Sequence, residues 1–248
     1  MINTVLHGDC LELMKDIPAG SIDMILCDLP YGTTYNKWDS LIPFQPLWEQ
    51  YTRVIKENGI IALTASQPFT SALVMSNVNW FKHEWIWLKN KGSNFANTVR
   101  EPFKEHESVL IFSKGKWTYN KQMQERTGSG LSRVKYKFHL ESKTENYRDF
   151  KGRGEVSMPN TRVPSSWQKF KTETGLHPTQ KPVALFEYLI NTYTNEGETV
   201  LDNCSGSGTT AIACINTNRN YILMEKEQKY YNIIKKRIVK HTIQPAFF

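Results

Sequence analysis

Asp28-Leu29-Pro30-Tyr31 brings a carboxylate, a backbone stiffened by proline and an aromatic ring into four consecutive residues. Such a set can hold a planar group that offers an amine. The carboxylate and a freed carbonyl accept its N–H bonds, and the ring stacks on its face. The tetrapeptide follows Ile22 to Cys27, an apolar run whose only charge is Asp23; this reads as a buried parallel strand. Parallel α/β sheets place their chemistry just beyond the carboxyl ends of their strands, so these residues stand at the productive edge. Taken alone, Asp-x-Pro after a strand is equally an ordinary turn.

The second constellation lies near the other end of the chain. Gly206-x-Gly208-x-x-Ala211 follows a predicted strand, Thr199 to Asp202, and opens a predicted helix, Ala211 to Thr217. Glu225 closes the next strand, Tyr221 to Met224. Glycines let a backbone approach a ligand closely, and an acid so placed accepts hydrogen bonds from ribose hydroxyls. The pattern suits any cofactor with an adenosine ribose, a nicotinamide dinucleotide and S-adenosylmethionine alike.

These residues need a sheet to hold them, and the rest of the chain supplies one. Thr4 to His7 predicts a strand, Cys10 to Ile17 a helix, and Pro46 to Glu57 a helix stopped at Asn58-Gly59. Ile60 to Thr64 predicts a strand, Phe69 to Met75 a helix, and Trp80 to Leu88 with Glu107 to Phe112 neighbouring strands, with Asn90 to Arg100 a loop over the active face. Val183 to Tyr193 predicts a helix that Pro182 is suited to start. A last amphipathic helix, Gln228 to Lys240, turns Ile233, Ile234 and Ile238 inward and Lys235, Lys236 and Arg237 outward.

Between Gly115 and Leu176 the periodicity fades. Thirteen lysines and arginines face six acidic residues there, so this segment carries the whole net charge of +7. Trp117, Tyr119, Tyr136, Phe138, Tyr147, Phe150, Trp167 and Phe170 are interleaved with the charges. Basic residues among stacking rings suit a nucleic acid, because phosphates supply affinity and bases offer π-faces. Four cysteines far apart in sequence, with no CxxC pair, predict reduced core thiols rather than a disulfide framework or zinc site. With no signal segment and no membrane-length apolar run, a cytoplasmic location is expected. His177 has no partner at ligand spacing, so no metal site is predicted.

Together, the motifs resemble the amino-methyltransferases of DNA. Asp28 to Tyr31 is similar to their Asp-Pro-Pro-Tyr signature, His177-Pro178-Thr179-Gln180-Lys181-Pro182 to their HPTQKP element, and Asp202 with the Gly206 turn to their glycine-rich motif. The order, with the catalytic tetrapeptide before the cofactor turn, resembles the circularly permuted β group. Leu29 replaces the first proline, and Asn203-Cys204 stands where the family often has Pro-Phe.

The resemblance implies a Rossmann-like α/β fold with a mostly parallel sheet and helices on both faces. It implies three regions: a catalytic half over 1–113, a basic target-recognition insert over 114–176 and a cofactor half over 177–248. The implied cofactor is S-adenosylmethionine and the implied partner double-stranded DNA, with homodimers common in the group. Asp28, Leu29, Pro30 and Tyr31 would receive the target amine. Asp9 and Cys10 would border the adenine, and Glu225 the ribose hydroxyls. Asp202, Ser205, Gly206, Ser207 and Gly208 would lie near the methionine moiety, and Asp28, Asn203, Cys204, Thr209 and Thr210 would also border the cofactor. Thr179, Gln180 and Lys181 would close its carboxylate end. Aspartate at the first motif position implies N6-methylation of adenine, with N4-methylation of cytosine the alternative. An RNA methyltransferase or a noncatalytic DNA-binding subunit remain further readings.

Overall fold

The computed structural model describes residues 2–34, 36, 39–131 and 160–243. In chain order the strands are β1 (Thr4–His7), β2 (Ile22–Cys27), β3 (Ile55–Ala65), β4 (Phe81–Leu88), β5 (His106–Phe112), β6 (Gln124–Glu125), β7 (Thr161–Arg162), β8 (Trp167–Lys169), β9 (Thr199–Asp202) and β10 (Asn220–Glu225). The helices are α1 (Cys10–Met14), α2 (Phe44–Val54), α3 (Phe69–Ser76), α4 (Val183–Tyr193), α5 (Thr209–Asn216) and α6 (Gln228–Ile243).

One sheet has the order β1-β10-β9-β2-β3-β5-β4-β8. All its pairings are parallel except those of β5 with β3 and with β4. The apolar runs of β2, β3 and β9 are continuous because both faces of these strands are covered. Side chains alternate across the sheet. Ile25, Cys27, Ile61 and Leu63 pack with α1, α2 and α3 on one face, while Met24, Leu26, Ile60 and Ala62 pack with α4, α5 and α6 on the other.

The topology fixes where a ligand can enter. From β2 the chain moves to β3 on one side, and from β9 it moves to β10 on the other. The two halves meet where Met24 pairs with Val200 and Ile25 with Leu201. This is a switch point, where the connections diverge and leave a crevice beyond the strand ends. Asp28 and Asp202 stand at that crevice.

Several boundaries differ from those the sequence predicts. α2 ends at Val54, where Ile55 turns extended (φ −73°, ψ 140°), so Asn58-Gly59 does not stop a helix. Those residues lie in a bulge of β3: Ile22 pairs with Ile55 but Met24 with Ile60. A Cβ at Gly59 would sit 2.6 Å from Ile55 Cγ1, which explains the glycine. α1 is three residues shorter than predicted, and β8 adds an unpredicted strand beside β4. Arg237, predicted outward on α6, donates instead to the Ser207 carbonyl (3.1 Å).

The aromatics of the basic segment divide as well. Trp117 and Phe170 pack against the buried cluster under α4, and the Tyr119 ring lies 6.1 Å from that of Tyr193. Trp117 and Phe170 are thus structural rather than free stacking rings, while Tyr119 stays 40% exposed. Tyr136, Phe138, Tyr147 and Phe150 lie outside the described residues, as do Tyr35 and Trp38. The contacts of the chain define one unit of Met1–Asn120 with Ser166–Phe248 and a second of Lys121–Ser165. In the second, β6 pairs with β7 antiparallel and Arg126 Nε donates to the Thr161 carbonyl (3.1 Å). Among the described residues no helix is long and apolar enough to cross a membrane.

Candidate active site

A cleft of about 850 Å³ runs along the strand ends from Asp28 to Glu225, a volume in the range of small-molecule sites. Asp28, Leu29, Pro30 and Tyr31 line it on one side, Asp9, Cys10, Asp202 to Ser207 and Glu225 on the other, with Thr179 to Lys181 between. Thr209 also lines it. Gly208 and Thr210 stand just behind, supporting the turn. The structure thus brings together two motifs about 175 residues apart in the chain.

The side of the cleft at the Gly206 turn is a cradle of backbone and buried acids. Gly206 (φ 52°) and Gly208 (φ 77°) take left-handed conformations that other residues adopt at a cost. A Cβ at Gly208 would meet Ile234 Cγ2 at 2.9 Å, so the turn rests directly on α6. Glu225 accepts from the Gly206 and Glu227 amides (2.8 Å each). Burial raises its carboxyl above the usual range, against the pull of those amides. Asp202 accepts from the Thr210 hydroxyl and from the Cys204 amide (3.1 Å). Burial pushes its carboxyl up to about 7. Asn203 is pinned by the Tyr51 hydroxyl of α2 (2.6 Å). Asp9 caps α1 through the Leu11 amide (3.0 Å) and follows β1, whose His7 pairs with Glu225. The His177 ring lies 4.3 Å from that of Tyr230 and beside Gly206.

The cysteines, far apart in sequence, are not all apart in space. The Cys10, Cys27 and Cys204 thiols come close enough beneath this turn to shift one another's ionisation. All four are free, and burial pushes the Cys27 thiol up to about 12, so it stays protonated. No group of metal-ligating side chains exists among the described residues.

On the other side, Asp28 heads a network that crosses four strands. Its Oδ2 accepts from Lys181 Nζ (2.6 Å). Its Oδ1 accepts from the Thr64 hydroxyl at the end of β3 and lies 2.9 Å from the Tyr31 hydroxyl. Lys181 Nζ is also 3.4 Å from Glu107 Oε2 on β5, while Glu107 Oε1 accepts from Lys89, just past β4. Burial lowers the ease of charging Lys181, but Asp28 and Glu107 outweigh it and hold its ammonium above the usual range. Burial likewise opposes the Glu107 carboxylate, yet Lys181 and Lys89 keep it below the usual range. The Tyr31 ring stacks on Phe69 (5.1 Å between centroids), with the Lys181 ammonium 5.6 Å over it.

Thr64, Lys89, Glu107 and Asp39 are absent from the residues the sequence singles out. Asp39 accepts from the amides of Gly32 (2.9 Å), Thr33 (3.0 Å) and Thr34 (2.7 Å), pinning the loop after the tetrapeptide. Burial opposes its ionisation, but these bonds with Thr34, Gly32 and Thr33 hold its carboxyl low. Lys181, expected at the cofactor's carboxylate end, has its ammonium committed to Asp28 and Glu107. Ser93, Asn94, Asn97, Glu101 and Lys104 line the cleft from the predicted loop, which holds one turn of 3₁₀ helix, Phe95–Asn97.

A parallel sheet with a glycine cradle and an aspartate at its switch point defines an enzyme that brings a nucleoside cofactor to an amine. Residues 22–236 match the family described as DNA methylase, and the chain belongs to that family. Among its relatives, the type II methyltransferase M.HinfI of Haemophilus influenzae is 30% identical over 266 residues, covering 96% of this chain and 68% of that one. The DNA adenine methyltransferase YhdJ of Escherichia coli (strain K12) is 29% identical over 253 residues, covering 95% and 82%. Of solved structures, the M1.HpyAVI–SAM complex is similar at a TM-score of 0.62 and 26% identity, covering 94% of this chain and 98% of that one. The cytosine-N4-specific PvuII DNA methyltransferase reaches a TM-score of 0.68 at 16% identity, covering 98% and 91%, a likeness of fold.

Proposed function

We propose that this protein transfers the methyl group of S-adenosylmethionine to the N6 amine of adenine in duplex DNA. The observation that carries the reading is one cleft lined by Asp28 at the end of β2 and Glu225 at the end of β10. The adenine activity named for YhdJ agrees with it, and so does aspartate at the first motif position.

The cradle fits the cofactor by its chemistry: a buried acid for ribose hydroxyls, a left-handed glycine, Gly206, on the cleft wall, and Asp202 beneath. Bound S-adenosylmethionine supplies an electrophilic methyl on a sulfonium. Glu225 would hold the ribose, and the 202–210 turn would border the methionine arm. An exocyclic amine is a weak nucleophile because its lone pair is delocalised into the ring. Asp28 and the Leu29 carbonyl accept its two hydrogens, favour a more tetrahedral nitrogen and stabilise the positive charge that develops there. Duplex DNA hides this amine, so the base is extruded at a cost of a few kcal/mol. The basic excess of 114–176 supports DNA reading by this segment. Removing lysines and arginines there should weaken binding, with about one unit of salt slope lost per phosphate contact.

The test is to treat mixed-sequence duplex DNA, and RNA in parallel, with the purified protein and identify methylated nucleosides by mass. N6-methyladenine from DNA is expected. N4-methylcytosine alone would overturn the base assignment, methylation of RNA alone the polymer, and no methylated nucleoside the whole reading.

A further inference from the structure

In this arrangement Asp28 is engaged before any substrate amine reaches it. Its Oδ2 holds the Lys181 ammonium at 2.6 Å, and its Oδ1 is shared by Thr64 and Tyr31. Three of its roughly four acceptor positions are thereby taken, and a base amine reaching Oδ2 must share that oxygen with the Lys181 ammonium. Thr64 ends a central strand of the sheet, and Tyr31 is held by its stack on Phe69. The Tyr31 hydroxyl can turn to Thr64 Oγ1 (3.0 Å), but Thr64 itself still occupies Oδ1; Lys181 is the donor whose shift leaves an oxygen of Asp28 clear. Glu107 Oε2 lies 3.4 Å from its Nζ, is buried, and receives no hydrogen bond from the described residues. A carboxylate oxygen left unsatisfied away from water is costly, and a small shift of the ammonium would satisfy it.

We propose that Lys181 is a two-position latch and Glu107 its second seat. Without substrate, the ammonium neutralises Asp28. When the amine arrives, the ammonium moves its hydrogen bond to Glu107 Oε2, which frees Asp28 Oδ2 for the base. The cost of loosening one ion pair is offset by completing the other. Lys89, on Glu107 Oε1, fixes the seat and keeps the four charges balanced at two positive and two negative. Glu107 is thus a positioning residue that acts through Lys181, and the site has built-in order: the acid becomes available when something is there to use it. This inference rests on the amine-methylating function proposed above.

The test is a double-mutant cycle read by single-turnover methylation with cofactor saturating. Glu107→Gln offers one amide oxygen where the carboxylate offers two, so Lys89 and Lys181 can no longer both be satisfied and Lys181 stays on Asp28. The rate should fall at least tenfold, with the cofactor dissociation constant within twofold of wild type. In a Lys181→Met background there is no ammonium to seat, and adding Glu107→Gln should change the rate by less than twofold. Glu107→Asp, which keeps the charge but withdraws the seat by one methylene, carries the same expectation if the amide variant does not fold. An unchanged rate in the single variant would overturn the latch, as would equal losses in both backgrounds, since a purely structural Glu107 acts independently of Lys181. A wild-type protein that methylates no amine would instead refute the underlying function, so the two failures are distinct.

Discussion

Replacing Asp28 by alanine removes the proposed acceptor for the target amine and one partner of a buried ammonium, and the two losses can be measured separately. Loss of one preorganised group aimed at developing charge typically costs 10²–10³ in turnover, about 2.7–4 kcal/mol; turnover of Asp28→Ala should fall by at least that much. The stability cost follows from the network. Stripping one partner from a fully buried ion pair costs roughly 3–5 kcal/mol. Here the Asp28 side chain is 22% exposed, and Lys181 keeps Glu107 within 3.4 Å. The expected loss is therefore smaller, about 2–3 kcal/mol, or roughly 5–10 °C in melting temperature for a chain of this size. Glu225 stands two strands away on β10, so cofactor affinity should hold within a fewfold. Transfer of a tritiated methyl group, cofactor calorimetry and a thermal melt give the three readings. Near-normal turnover would refute the role of Asp28, and cofactor affinity falling in step with turnover would refute the division of the cleft.

Glu225→Ala should behave in the opposite sense, raising the cofactor dissociation constant tenfold or more in calorimetry while saturating cofactor restores much of the turnover. Gly208→Ala combines a left-handed φ of 77° with a 2.9 Å approach to Ile234, and should destabilise by about 2–5 kcal/mol, measured in urea; an unchanged midpoint would show that the turn relaxes freely. The raised Asp202 carboxyl, about 7 through burial, binds its proton more tightly folded than unfolded. Its contribution to stability is full below pH about 4 and is lost as pH rises through about 7. Melts across that range should show Asp202→Asn flattening the decline relative to wild type; parallel curves would contradict the shift.

The parts of this molecule readable in the sequence are those where an apolar run meets hard punctuation. Ile22–Cys27, Val183–Tyr193 and Thr199–Asp202 have the bounds their patterns predict, because Asp28, Pro182 and the glycine turn end them abruptly. Asn58-Gly59 misleads because a bulge needs the same small residue that a helix stop does. Trp117 and Phe170 mislead because composition does not separate a ring that stacks on a base from one that covers α4. The motif residues at the cleft were legible. Thr64, Lys89 and Glu107 were not, since each ends or adjoins an otherwise ordinary strand and joins the site only through sheet order. A lone carboxylate opening an apolar strand, as Glu107 does before Ser108 to Phe112, was the one available signal.

The meeting of β2 with β9 also sets when the enzyme can exist during its own synthesis. Until Thr199–Asp202 emerges from the ribosome, β2 has β3 on one side and an open edge on the other. An unpaired edge invites wrong partners, and pairing across so long a stretch of chain is slow. The amides of β2 that face β9 should accordingly be among the last to gain protection in pulsed hydrogen exchange during refolding. The cleft then closes late, with a single seam, and a nascent chain that stalls before it carries Asp28 to Tyr31 complete with no glycine turn beside them.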